Sequence, residues 1–150
     1  MDFKFNVLTG NPERLNVVGS KLGSAAGQKY TTTDIAKAMV MGPVGNHYLA
    51  PADAEIEGFL DNVDGGPPAG GFPFGGVSRP NAGLRVLAQV GPGQATALVF
   101  KDLVVADAQL PLGTKGLPRV KKGTPGTYKW QVITLNGDGT AGTTVVLERI

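Results

Sequence analysis

The sequence predicts a mostly β chain, a small antiparallel β-barrel or sandwich with an extended N-terminal arm and few short helices. Three observations carry this expectation. Apolar residues recur with period two in several short stretches. Turn formers punctuate those stretches, with 23 Gly and 11 Pro among 150 residues, and a hydrophobic content of 41% supplies a core. A chain of this length fits one domain, or one domain plus an arm.

Phe3, Phe5 and Val7 alternate with Asp2, Lys4 and Asn6, as in a strand that buries one face. Residues 9 to 33 then scatter Leu15, Val17, Val18 and Leu22 among five Gly and Pro positions, so residues 1–30 read as an arm and 31–150 as a β-rich body. Thr33 before Asp34 suits the cap of a short helix, yet Ala36, Ala38 and Val40 before Gly42-Pro43 suit a strand equally well. His47 and Leu49, then Ile56 and Leu60, suggest a hairpin across Ala50-Pro51-Ala52-Asp53.

Residues 64–80 include Asp64-Gly-Gly-Pro-Pro-Ala-Gly-Gly-Phe-Pro-Phe-Gly-Gly, which predicts a long loop because Gly is entropically costly in a strand and Pro removes donors. Loops of that length are usually functional or disordered, and Phe72 with Phe74 favour function. Leu84, Val86, Ala88 and Val90 form the next alternating strand. Leu103-Val104-Val105 reads as a buried strand after an interruption at Lys101-Asp102. Tyr128 to Leu135 and Thr143 to Arg149 alternate on either side of Asn136-Gly-Asp-Gly-Thr-Ala-Gly, which predicts a terminal hairpin.

Charge is segregated along the chain. No Lys or Arg lies between Lys37 and Arg79, where Asp53, Glu55, Glu57, Asp61 and Asp64 fall, whereas Lys115, Arg119, Lys121, Lys122 and Lys129 are the only charges from Ala108 to Gly137. The two segments are expected to meet across a subunit interface, setting register more than affinity. The net charge of +2 is too small to imply a nucleic-acid partner. The basic segment beside Tyr128 and Trp130 leaves a single-strand nucleic-acid groove as one reading, opposed by the acidic segment. Cys is absent, which excludes disulfides and thiolate metal sites. Neither a signal peptide nor a membrane span is expected.

Motifs for catalysis are missing. His47 is the only histidine, and Ser20, Ser24 and Ser78 sit in no nucleophile-elbow motif. Glu55 and Glu57, two apart, would share one face of a strand as a cation site, an acid/base pair or, more ordinarily, a solvated face. Asn136-Gly-Asp138 fails as a calcium loop, since Ala141 stands where the turn Gly belongs and Leu147 where the bidentate Glu belongs. No phosphate-binding Gly loop is present. The expectation is a protein that is not an enzyme, with no catalytic residues, no metal, no cofactor and no small-molecule substrate.

Lys101-Asp-Leu-Val-Val-Ala-Asp-Ala, Gly116-Leu-Pro-Arg-Val-Lys-Lys-Gly and the strand Trp130-Gln-Val-Ile resemble the small capsid cement, or head decoration, proteins of tailed phages. Gly45-Asn-His-Tyr-Leu-Ala and Ile56-Glu-Gly-Phe-Leu-Asp resemble that family's early hairpin, and Lys101 stands where the family's turn carries Gly. The resemblance, over residues 36–150, implies a β-barrel-like body, usually a homotrimer, that binds the major capsid protein on the outer surface of the virion after assembly in the host cytoplasm. No membrane partner is expected, since no apolar run is long enough to span, and the acidic segment disfavours nucleic acid. On this reading Phe3, Phe5, Val7 and Leu8 dock on the shell, and Phe72, Phe74, Arg79, Glu55, Glu57, Lys121 and Lys122 contact neighbouring subunits. A tail or baseplate β-module and a small single-stranded nucleic-acid-binding barrel are the alternatives.

Overall fold

The computed structural model describes residues 7–9, 15–25, 28–43, 45–64 and 73–150. Eleven strands run along them: β1 (Val7–Thr9), β2 (Leu15–Lys21), β3 (Ala38–Met41), β4 (His47–Leu49), β5 (Gly58–Val63), β6 (Phe74–Pro80), β7 (Arg85–Val90), β8 (Leu103–Ala106), β9 (Arg119–Lys122), β10 (Trp130–Asn136) and β11 (Thr144–Arg149). One 3-10 turn, Thr32–Asp34, is the helical content of the described residues. The chain is therefore mostly β, as its periodicity predicts.

The strands form two sheets. In the first, β7, β11, β10, β8 and β9 pair antiparallel in that order, and a parallel β7–β9 pairing closes them into a five-stranded barrel. The closure is short, Gln89 against Arg119 and Val90 against Val120. Backbone bonds from Gln89 N to Pro118 O (2.9 Å) and from Gly91 N to Val120 O (2.8 Å) complete it. β1 occupies the other half of the same β7 edge, pairing at Val86 and Arg85. The alternation of Val86, Ala88 and Val90 fills the barrel with branched and small side chains, and Trp130, Val132, Val145 and Leu147 come from the terminal hairpin.

The second sheet is antiparallel, in the order β2-β6-β5-β3-β4. Its outer strands curl toward each other and touch through one parallel bridge, Leu22 to His47, with Gly23 N donating to His47 O at 2.7 Å. Leu22, Tyr30, Met39, Leu60 and Val77 form its own core. Ala38, Ile56 and Phe59 turn instead into the barrel's core. There the rings of Phe59 and Trp130 meet edge to face, with centroids 5.4 Å apart at 74°, an arrangement favoured by the aromatic quadrupole.

Several expectations are corrected. Where described, the segment read as an arm over 1–30 is largely strand: β2 pairs with β6 along seven registered residues, from Leu15↔Pro80 to Lys21↔Phe74. The loop expected over 64–80 ends earlier, because Phe74–Pro80 is β6, a strand whose glycines lie flat between β2 and β5. β4 and β5 are not a hairpin, since β3 lies between them and pairs with both. The stretch left open between helix and strand is both in turn: a 3-10 turn, then β3.

A buried ion pair joins the sheets' connections. Lys37 Nζ lies 2.5 Å from Asp34 Oδ1, with both side chains essentially inaccessible. Lys37 also donates to Pro111 O at 2.8 Å, while Asp34 accepts the N–H groups of Thr31 and Gly113, each at 2.9 Å. The ammonium thus has two acceptors and the carboxylate three donors, which offset much of the desolvation cost of burying the pair.

Candidate functional site

The single histidine has partners that local sequence does not reveal. Curling of the second sheet brings Ser20 of β2 to 2.8 Å from His47 Nδ1, while Glu57 Oε1 lies 3.3 Å from Nε2. Glu57 is held from two further sides, by Arg79 Nε at 3.1 Å and by the Met41 N–H at 3.0 Å. All three members of the trio are buried.

The order hydroxyl, imidazole, carboxylate matches that of a hydrolase triad, but its surroundings do not suit acyl transfer. Ser20 is 5% exposed, and its hydroxyl is flanked by the carbonyl oxygens of Lys21 (3.1 Å) and Gly45 (3.4 Å). A hydroxyl this buried is closed to a substrate carbonyl, and the two flanking carbonyls compete with His47 for its proton. The trio instead ties β2, β4 and the residue just before β5 across the seam that a single bridge closes. Neutral His47 satisfies it by donating from Nε2 to Glu57 and accepting the Ser20 hydroxyl. Protonated His47 donates on both sides and turns that hydroxyl to a carbonyl. Among the described residues no group of three or more His, Cys, Asp or Glu side chains could hold a metal ion, and no helix is long and apolar enough to cross a membrane.

Glu55 and Glu57, expected on one face of a strand, precede β5 and diverge. Glu57 enters the interior, whereas Glu55 accepts the N–H groups of Gly126, Thr127 (2.8 Å) and Tyr128 (3.3 Å). Burial pushes the Glu55 carboxyl up, but the donors at Thr127, Tyr128 and Gly126, with Arg149 nearby, outweigh it and hold the group below its ordinary value. Arg79 continues from Glu57 to the Tyr128 hydroxyl at 3.1 Å, and the Arg149 guanidinium lies 5.5 Å from the centre of the Tyr128 ring. The acidic and basic segments thus meet within one chain, where Lys121 pairs with Asp53 at 2.9 Å, whereas Lys122 pairs with Asp102, outside the acidic segment, at 3.1 Å. Trp130 is fully buried against Phe59, so it offers no face on which a base could stack.

The exposed apolar groups lie elsewhere. Val99 and Phe100, 55% and 61% exposed, form a knuckle at one end of the barrel between β7 and β8. Its turn is tightly held. Asp102 accepts the Val99 N–H at 2.9 Å, Lys101 N donates to Val132 O at 2.8 Å, and Leu98 N donates to Gly139 O at 2.9 Å. Gly139, at φ +80°, is needed there, since a Cβ would come within 2.3 Å of the Leu98 carbonyl. Lys101 itself adopts φ +71°, a left-handed conformation that costs a non-Gly residue roughly 1–2 kcal/mol. Its ammonium lies 5.6 Å from the centre of the Phe100 ring.

Of the residues expected at interfaces, Phe74 is 43% exposed on the second sheet and Arg79 is partly exposed. Val7 and Leu8 lie in β1, and Phe3, Phe5 and Phe72 fall outside the described residues. Sequence reasoning missed Val99 and Phe100 because they lie in the first half of an apolar stretch, Ala97 to Val105, that is interrupted at Lys101-Asp102. The signal was its interruption at Lys101-Asp102, which marks a turn rather than a flaw in a strand. Comparisons with protein-family models, with curated proteins and with solved structures found no match.

Proposed function

We propose that this chain is a structural module of a phage virion that binds the outer surface of the capsid and cements the shell, bridging major capsid protein subunits as a homotrimer. The observation that carries this reading is the Val99–Phe100 knuckle. A strained, multiply anchored turn that presents two large apolar side chains to water is destabilising for an isolated barrel, and backbone strain of this kind persists where function selects it. Burying both side chains in a partner's pocket would contribute roughly 3 kcal/mol for each chain, and three linked copies would multiply weak contacts through effective concentration. The resemblance of residues 101–108, 116–123 and 130–133 to cement proteins supports the choice of a capsid as that partner.

The test is co-sedimentation of the chain with expanded empty capsids, alongside mass measurement of the free protein. Saturable occupancy by a trimeric protein, reduced at least tenfold in Phe100→Ala, is the expected result. Unchanged occupancy of the folded variant would remove the knuckle from the contact, and absence of binding by the unaltered chain would overturn the capsid reading.

A further inference from the structure

Three non-glycine residues among those described hold a positive φ: Ala36 at +82°, Asp53 at +72° and Lys101 at +71°. A left-handed backbone is costly for a residue with a Cβ, although Asp tolerates it better than most, so each side chain should return something that glycine could not. Two of them do so inside the molecule. Ala36 packs against the barrel's core, and Asp53 pairs with Lys121 at 2.9 Å. Lys101 does not. It is exposed and forms no ion pair among the described residues. Its ammonium rests 5.6 Å from the centre of the Phe100 ring, itself 61% exposed.

The acids near Lys101 are already engaged by donors of this chain. Asp102, 11% exposed, accepts the Val99 N–H at 2.9 Å and holds Lys122 at 3.1 Å. Asp138 lies on the turn whose Gly139 carbonyl accepts the Leu98 N–H, and it accepts the N–H (3.1 Å) and hydroxyl (2.5 Å) of Thr140. Residues 92–100 carry no charged side chain, and Ala95, Ala97, Val99 and Phe100 are exposed there. The knuckle therefore presents apolar surface beside one cation that no carboxylate of the described chain neutralises.

Such a surface selects its partner by chemistry. An ammonium beside an apolar protrusion is matched by an anionic group at the rim of an apolar pocket. A phosphate backbone is held by several cations acting together, and the neighbouring Lys122 is committed to Asp102. A single carboxylate fits the one remaining charge. We infer that Lys101 pairs with an Asp or Glu side chain at the rim of the pocket that receives Val99 and Phe100. On the capsid reading, from which this inference follows, that acid belongs to the major capsid protein.

The full-length chain is sedimented with expanded empty capsids at about 50 and about 500 mM NaCl, a range over which exposed ion pairs become screened. Lys101→Met keeps a Cβ and an apolar stem without the charge, and at the lower salt it is expected to bind about fivefold more weakly. Lys101→Glu should lose about tenfold or more, and Lys101→Arg should stay within about twofold of the unaltered chain. Affinity of the unaltered chain should fall with salt, and that of Lys101→Met should fall much less. A water-soluble carbodiimide, which joins an amine to a touching carboxylate with loss of water, should link Lys101 to an Asp or Glu of the capsid protein, identified by peptide mass spectrometry. A role confined to holding Phe100 gives neither the salt response nor the cross-link. If Lys101→Met and Lys101→Glu bind as the unaltered chain does at both salts, the inference fails while the capsid reading stands. If the unaltered chain does not bind capsids, both fall.

Discussion

The indole N–H of Trp130, at the start of β10, donates to the backbone carbonyl of Ile56 at 3.1 Å. That bond, with the edge-to-face contact to Phe59, fastens the second sheet to the barrel from within the shared core. Trp130→Phe keeps an aromatic ring but leaves the buried Ile56 carbonyl without this donor and removes volume. The expected loss is about 2–4 kcal/mol of unfolding free energy in denaturant, read by circular dichroism because the only tryptophan is gone.

The Asp34–Lys37 pair should behave differently from a simple buried ion pair. Lys37→Met strands a buried carboxylate and is expected to cost about 3–5 kcal/mol. Isolated buried pairs can often be replaced by apolar residues at no cost. Here the double variant Asp34→Leu with Lys37→Met should remain destabilised by about 2 kcal/mol or more, because the Thr31 and Gly113 N–H groups and the Pro111 carbonyl lose their partners. Full recovery in the double variant would contradict this.

Tyr30 sets an alkaline limit. Burial pushes its hydroxyl up to about 12, against a lowering from the Leu49 N–H bond and a smaller push from Asp34. Below the ordinary tyrosine value of 10.0 both folded and unfolded chains hold the proton, and no stability is lost. As pH rises from there toward 12 the unfolded chain ionises first, so stability falls, by roughly 2–3 kcal/mol. Tyr30→Phe should flatten that part of the stability profile relative to the unaltered protein, and equal slopes for the two would refute the assignment.

Lys101→Gly should stabilise the protein. Relief of the left-handed strain at φ +71° exceeds the added freedom of an unfolded glycine, giving a net gain of about 0.5–1 kcal/mol. The shift in denaturation midpoint measures it.

Legibility in the sequence followed side-chain chemistry. β7, β10 and β11 are amphipathic, with branched residues facing one core, and their alternation could be read directly. β2 could not, because its inner face carries Ser20 between Val18 and Leu22 while Gly19 breaks the outer face, so period two is lost on both sides. β6 was hidden for a related reason: Gly75 and Gly76 contribute no side chains, and composition alone suggested a loop. The Ser20–His47–Glu57 tie depends on the curl of a sheet, which no local pattern encodes. Phe74 stood out as an aromatic among glycines, whereas Phe100 was camouflaged by apolar neighbours.

One strand edge is shared between distant parts of the chain. β7 lends half of one side to β1 and the other half to β9. During synthesis the first strand emerges long before its partner exists, and the barrel cannot be sealed until β9 arrives later still. β1 therefore stays without this partner until β7 has been made. A nascent chain halted before β9 would carry an open rim of unpaired backbone groups, to which a second copy could add a strand.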